Sequence, residues 1–225
     1  MKLFVNEIFR SIQGEAHTAG WPTIFVRLTG CNLRCLYCDT AYAWNEGKEL
    51  DLNDALSRVR AQGGAKQNHV LITGGEPLLQ REATLALADA LLQDGYAVSL
   101  ETNGSHLLEG GLFAPLPDKL VAVIDVKTPG SGMSGVMNHE NFRKARRHHD
   151  VFKFVITSEE DIQWAFACIE QYHLERRYDV YLSPVFGKTD SSIARALAEA
   201  IIESGKRVRL GIQLHKVIWG EDARC

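Results

Sequence analysis

Seven stretches of the chain, residues 23–29, 69–73, 96–100, 120–124, 151–156, 179–183 and 208–214, are apolar, β-branched or aromatic with few interruptions, and turn residues flank most of them. Runs of this length and composition read as buried strands. Between them, apolar residues recur at helical spacing. One helix is expected over about 52–60, with Asp51 as its cap and Gly63-Gly64 as its stop. A second carries Leu85, Ala88 and Leu92 on one stripe, with Leu87 and Leu91 beside them, and runs to Gly95. Others cover about 138–148, 157–169 behind the capping pattern Thr157-Ser158-Glu159-Glu160, and the stretch after Asp190 that presents Ile193, Leu197 and Ile201. Residues before Thr23 read as a short strand or arm and then a loop.

Strands without polar alternation are buried on both faces, which calls for a parallel sheet covered by helices. An open doubly wound sheet and a partial (β/α) barrel both satisfy the pattern. In either, functional residues gather at the carboxyl ends of the strands. Cys31 to Cys38, Thr73 to Gly75, Glu101 to Asn103, Asp125 to Lys127 and Ser183 all fall there, so one rim and one site are expected. No repeat or linker interrupts the pattern. Residues 1–225 are therefore expected to form a single domain, with an N-terminal arm (1–22), a core (23–215) and a C-terminal tail (216–225).

Composition narrows this further. A length of 225 residues suffices for a sizeable core, and 45% hydrophobic with 24% charged residues fits a soluble globular chain. The net charge of −3 leaves no basic excess for a nucleic-acid partner; Arg143, Lys144, Arg146 and Arg147 read as a solvated helix face. No apolar run approaches the roughly 18 residues of a membrane span, so no membrane association and a cytoplasmic location are expected. In a reducing cytosol, five cysteines with three close together argue for metal binding over disulfides. Cys168 sits in an apolar helical pattern and reads as core; Cys225 ends the chain without an assignment. Trp164 and Trp219 read as packing.

The chemistry concentrates in Cys31-Asn32-Leu33-Arg34-Cys35-Leu36-Tyr37-Cys38-Asp39-Thr40. Three thiolates at i, i+4 and i+7 can meet on one soft metal centre and leave one coordination position open. Zinc would need a fourth Cys or His at suitable spacing, and His17 and His69 lie outside it. A 4Fe–4S cluster with one open iron fits better than zinc, and better still than cysteines without metal.

This loop, with Tyr37 before the last cysteine, resembles the radical S-adenosylmethionine superfamily, and Thr73-Gly74-Gly75-Glu76-Pro77 is similar to that superfamily's second signature. Phe9-Arg10-Ser11-Ile12-Gln13-Gly14-Glu15, Cys38-Asp39-Thr40, Glu101-Thr102-Asn103-Gly104, Asp125-Val126-Lys127-Thr128-Pro129-Gly130-Ser131-Gly132 and Gln213-Leu214-His215-Lys216 together resemble the 7-carboxy-7-deazaguanine synthase family, over almost the whole chain. The resemblance implies an incomplete parallel (β/α) barrel of about six to seven strands. Cys31, Cys35 and Cys38 would hold the cluster, and Tyr37, Cys38, Asp39, Gly75, Asp125, Val126 and Lys127 would bind S-adenosylmethionine. Ile12, Gln13, Gly14, Glu15, Arg27 and Thr73 would hold the substrate, and Thr40 would ligate Mg²⁺. Gln13 and Glu15 suit the amide and amino edge of a pterin, and Arg27 suits a carboxylate. His215 and Lys216 are equally open to a site role and a surface role.

The implied reaction converts 6-carboxy-5,6,7,8-tetrahydropterin to 7-carboxy-7-deazaguanine with loss of ammonia, on the route to queuosine. It is a lyase reaction, served by an electron donor such as flavodoxin or ferredoxin and carried out by a homodimer. The rival readings are a glycyl-radical enzyme activase and a non-catalytic iron–sulfur or zinc-binding module.

Overall fold

The computed structural model describes residues 1–63, 69–108, 115–187 and 191–220. They form one nine-stranded sheet: β1 (Lys2–Ile12), β2 (Pro22–Leu28), β3 (Lys48–Asp51), β4 (His69–Gly74), β5 (Ala97–Thr102), β6 (Val121–Val126), β7 (Val151–Ile156), β8 (Asp179–Pro184) and β9 (Arg209–Leu210). The spatial order is β3-β1-β2-β4-β5-β6-β7-β8-β9, and the two end strands do not pair with each other. Seven strands, β2 and β4 to β9, run parallel in chain order. The fold is thus the expected incomplete parallel barrel, extended on one edge by two antiparallel strands, β1 and β3.

The parallel strands divide their side chains between two faces, as the period of two requires. Ile24, Val26, Val70, Ile72, Leu100, Ile124, Phe152, Phe154 and Leu182 point to one side and form a single core with α1 (Leu52–Ala61), α2 (Arg81–Gln93), α4 (Glu159–Tyr172) and α5 (Ser191–Ser204). Leu56, Val59, Leu87, Leu91, Ile162, Ile169 and Leu197 are the helical half of that core. The alternate positions Arg27, Thr73, Glu101, Asp125 and Lys153 face the concave interior and line its cleft. Charged residues inside apolar runs are explained by this second face.

Several expectations need correction. The sheet is not wholly parallel. The supposed arm is an eleven-residue strand, and Lys48–Asp51 is a strand despite three charged residues in four; β3 is the edge strand and β1 lies between it and β2, with water reaching one side of both. The last predicted strand shrinks to Arg209–Leu210, with the Gly211 amide still bonded to the Leu182 carbonyl, and Leu214 already begins α6 (Leu214–Trp219). The helix expected over 138–148 is only α3 (Asn141–Lys144). There the buried Asn141 carboxamide donates to the carbonyls of Gly104 and His106 and accepts from the Leu108 amide. The basic cluster is accordingly no uniform helix face: Arg146 is tied to Asp150 and to the carbonyls of Pro117 and Leu120, while Arg143 and Arg147 are exposed.

The α4 cap is a true one. Ser158 accepts from the Asp161 amide at 3.2 Å, and the buried Asp161 carboxylate accepts from Thr157 N, Thr157 Oγ1 and Gly130 N at 2.9, 2.6 and 2.9 Å. Asp51 occupies its cap position without a side-chain bond. Gly64, Asp190 and Cys225 lie outside the described residues. Cys168 is buried in the core, which pushes its thiol up to about 12. Trp164 packs against the core, whereas Trp219 is exposed. No helix among the described residues is long and apolar enough to cross a membrane.

Candidate active site

The cysteine loop leaves β2 through Gly30, whose φ of +99° is costly for any residue with a Cβ. The turn after β4 lies directly against it: Gly75 N donates to the Leu28 carbonyl at 3.2 Å and Glu76 N to the Gly30 carbonyl at 2.8 Å. A Cβ on Gly75 would stand 2.1 Å from the Gly30 oxygen and 2.8 Å from Cys31 Cβ, so glycine is what lets the two turns touch. Glu76, fully buried, accepts from Leu78 N at 2.8 Å, Thr102 Oγ1 at 2.9 Å and Asn103 N at 2.7 Å, which joins the turns after β4 and β5. Burial raises its pKa, and these donors offset that only in part. Leu36 N donates to the Ser131 carbonyl at 3.1 Å and fastens the loop to the segment after β6.

Cys31, Cys35 and Cys38 are free, half-buried and face one cleft. Burial raises the thiol pKa of Cys35 and Cys38, and the Lys127 ammonium counters it. Lys127 lies 2.8 Å from Asp125 and 5.8 Å from the Tyr37 ring centre. Tyr37 Oη and Asp125 Oδ1 are buried without a hydrogen-bond partner among the described residues, two polar atoms that a bound molecule would satisfy. Asp39 pairs with Lys216 at 2.8 Å and accepts from Thr40 Oγ1 at 2.9 Å.

The other half of the cleft comes from the opposite end of the sheet. Ile12 pairs with Pro22 at the amino end of β2, so the following loop enters beneath the rim. Its turn is held by Gln13 N to the Trp21 carbonyl and Gly20 N to the Gln13 carbonyl, at 2.8 and 2.7 Å. The Gln13 carboxamide oxygen accepts from the Gly14 and Glu15 amides. Ala16 packs on Val123, Val151 and Tyr181. Glu15 meets Lys153 at 2.6 Å and Gln213 at 2.7 Å. Burial would raise the Glu15 pKa, but Lys153 and Gln213 outweigh it and lower it. Glu101, which accepts from Thr73 Oγ1 at 3.0 Å, keeps a raised pKa because burial dominates. Arg27 pairs through Nε with Glu7 at 2.7 Å, and its guanidinium sits 5.7 Å from the Phe9 and Tyr42 ring centres.

A family model described as the radical SAM superfamily matches residues 25–125. The chain is 38% identical to a 7-carboxy-7-deazaguanine synthase from Koribacter versatilis, covering 98% of each chain. It is 40% identical to the one from Chlorobaculum tepidum, covering 99% of this chain and 96% of that one. The chain belongs to the 7-carboxy-7-deazaguanine synthase family. Its fold is similar to that of QueE from Escherichia coli, with a TM-score of 0.76 at 24% identity over 96% of this chain and 95% of that one.

Membership in this synthase family implies a 4Fe–4S cluster and S-adenosylmethionine, and the residues present fit both. Three free thiols at one mouth suit the first. The unpartnered Tyr37 and Asp125 oxygens, in a cleft of about 1250 Å³ counted with its open mouth, suit the second. Of the residues that the resemblance singled out, Gln13, Glu15, Arg27 and Thr73 line the cleft together with Tyr37, Asp39, Thr40, Gly75, Asp125, Lys127 and the cysteines. Ile12, Gly14 and Val126 do not line it. The Val126 side chain is fully buried in the core, so only its backbone can serve a ligand. Gly14 lies against His215, which does face the cleft, as does Lys216.

Lys153 lines the cleft without having been singled out in the sequence, and Glu101 and Gln213 stood there only as parts of longer motifs, with no role of their own. A signal for Lys153 existed. A lysine inside Val151-Phe152-Lys153-Phe154-Val155 has no place in a strand buried on both apolar faces unless one face is a site.

Proposed function

We propose that this chain converts 6-carboxy-5,6,7,8-tetrahydropterin to 7-carboxy-7-deazaguanine with loss of ammonia, in queuosine biosynthesis. The observation that carries the reading is the pairing, across one cleft, of three free thiols with a set of buried groups matched to a carboxylated pterin. When bound, the cluster and S-adenosylmethionine supply the 5′-deoxyadenosyl radical that removes a substrate hydrogen.

The chain's own residues bind and orient. Cys31, Cys35 and Cys38 hold the cluster. Tyr37, Asp39, the Gly75 backbone and the Asp125-Val126-Lys127 turn hold S-adenosylmethionine. The ionised Glu15 accepts from the N–H donors of the pterin ring, and Gln13 offers its NH₂ group, since its oxygen already serves the Gly14 and Glu15 amides. Arg27, with Nε committed to Glu7, presents the far end of its guanidinium to the substrate carboxylate. Thr40, whose hydroxyl donates to Asp39 at 2.9 Å and so keeps its oxygen lone pairs, would give Mg²⁺ one hard oxygen. The enzyme would work in the cytoplasm as a homodimer, reduced by a flavodoxin or ferredoxin.

The test is anaerobic. After reconstitution with iron and sulfide, the protein is given reductant, S-adenosylmethionine, Mg²⁺ and the carboxytetrahydropterin, and 7-carboxy-7-deazaguanine is expected. Formation of 5′-deoxyadenosine without deazapurine would sink the assigned substrate. Stoichiometric zinc in place of an iron–sulfur cluster would sink the chemistry as well.

A further inference from the structure

We infer that Lys153 and Gln213 are positioning residues that clamp Glu15 from two sides and fix it as a hydrogen-bond acceptor, so that they set the preference for a ring edge bearing N–H donors. The inference rests on the substrate reading above.

The clamp is built from parts far apart in sequence. Lys153 Nζ, on β7, bonds Glu15 Oε2 at 2.6 Å, and Gln213 Nε2, just before α6, bonds Glu15 Oε1 at 2.7 Å. Each carboxylate oxygen therefore has one fixed partner and one free lone-pair direction. Gln213 cannot turn over without loss, because its own oxygen accepts from Phe186 N at 3.2 Å. Its NH₂ end is thereby committed to Glu15.

Lys153 sets the charge. It is 7% exposed, lies 3.9 Å from Asp125 as well, and has Glu101 as a further acidic neighbour. Burial alone would discharge this lysine, but Glu15, Glu101 and Asp125 raise its pKa well above the ordinary value. Of the other titratable groups that bear on Glu15, Asp39 and Glu101 act against its ionisation, and the His215 imidazole also lies within its field. Without Lys153, three acids would share a buried pocket with no cation against Glu15. Carboxylates so placed take up protons, and a protonated Glu15 would offer a donor where the pterin needs an acceptor.

The test measures anaerobic binding of two ligands to the reconstituted protein: the carboxytetrahydropterin, and its analogue with a 2-oxo group in place of the 2-amino group. S-adenosylmethionine binding is measured alongside. The wild-type chain is expected to favour the amino compound. Lys153→Met should weaken its binding about 10–100-fold, the range expected for losing a hydrogen bond to a charged group. The same variant should shrink the preference over the 2-oxo analogue and leave S-adenosylmethionine affinity unchanged, while Lys153→Arg restores the preference. Gln213→Leu, which keeps the charge, should weaken pterin binding by a smaller factor and retain the preference.

Unaltered pterin affinity and preference in Lys153→Met would overturn the inference, as would a parallel loss of both ligands. If Lys153→Met does not fold, undiminished pterin affinity in Gln213→Leu overturns it instead. A wild-type chain that binds neither pterin removes the substrate reading and this inference together. A wild-type preference that survives Lys153→Met removes only the inference.

Discussion

The two halves of the cleft are built on opposite plans. The rim is local: ten consecutive residues carry the thiols, and close backbone contacts at Gly30, Gly75 and Glu76 hold them, with half-buried side chains free to take a ligand. The floor is assembled from residues as far apart as Glu15 and Gln213, and its charges are already satisfied by one another. A cluster supplies its own charge and needs only a frame of thiolates. A neutral heterocycle with a carboxylate needs acceptors and donors aimed in advance, and in a buried pocket these stay aimed only when paired.

The largest expected effect separates the halves cleanly. Cys35→Ala should abolish the iron–sulfur visible absorbance and all 5′-deoxyadenosine formation, yet leave the floor's pterin affinity nearly intact by calorimetry. A collapse of both would mean that the halves fold as one unit. Next is Arg27→Lys, which keeps the charge but loses the guanidinium fork. It should raise KM for the carboxylated substrate by roughly 10–100-fold, about 1.4–2.8 kcal/mol, with S-adenosylmethionine binding unchanged. A fall in kcat at constant KM would place Arg27 elsewhere in the reaction.

Thr40→Ala probes the seam between the halves. Mg²⁺-dependent turnover should fall more than S-adenosylmethionine affinity does; equal losses would count against a magnesium ligand there. The smallest effect on chemistry is expected for Asp161→Ala, at a residue that does not line the cleft. It removes the acceptor for Thr157 N, Thr157 Oγ1 and Gly130 N and should cost about 3 kcal/mol in urea unfolding. Any loss of activity should then follow the fraction unfolded, because Asp161 anchors the loop after β6 and not the cleft lining itself.

The difference in plan also decides what could be read in the residues alone. The cysteine loop, the Gly74-Gly75 turn and six of the seven parallel strands were legible to within two residues, since spacing and continuous apolarity are local signals. The last strand and the 138–148 helix were not. A helix that begins at Leu214 and the Asn141 side chain, bonded to a segment more than thirty residues away, overrode the pattern there. The floor was half legible: Glu15 and Arg27 came with a motif, but their partners Lys153, Gln213 and Glu7 depend on strand register and on how the chain's last turns return. Lys48–Asp51 carried no usable signal, because an edge strand needs no apolar face.

The antiparallel direction of β1 has one more consequence. Because that strand delivers its loop to the amino end of the barrel, Gln13 and Glu15 reach the cleft from one hairpin connection, a full strand away from the cysteine loop that leaves the other end of β2. Such a construction is modular. A lineage, or an engineer, can exchange the eight residues from Gln13 to Gly20 and the side chains they meet, and so present a different molecule to the same reactive group, while the wiring that makes the radical stays as it was.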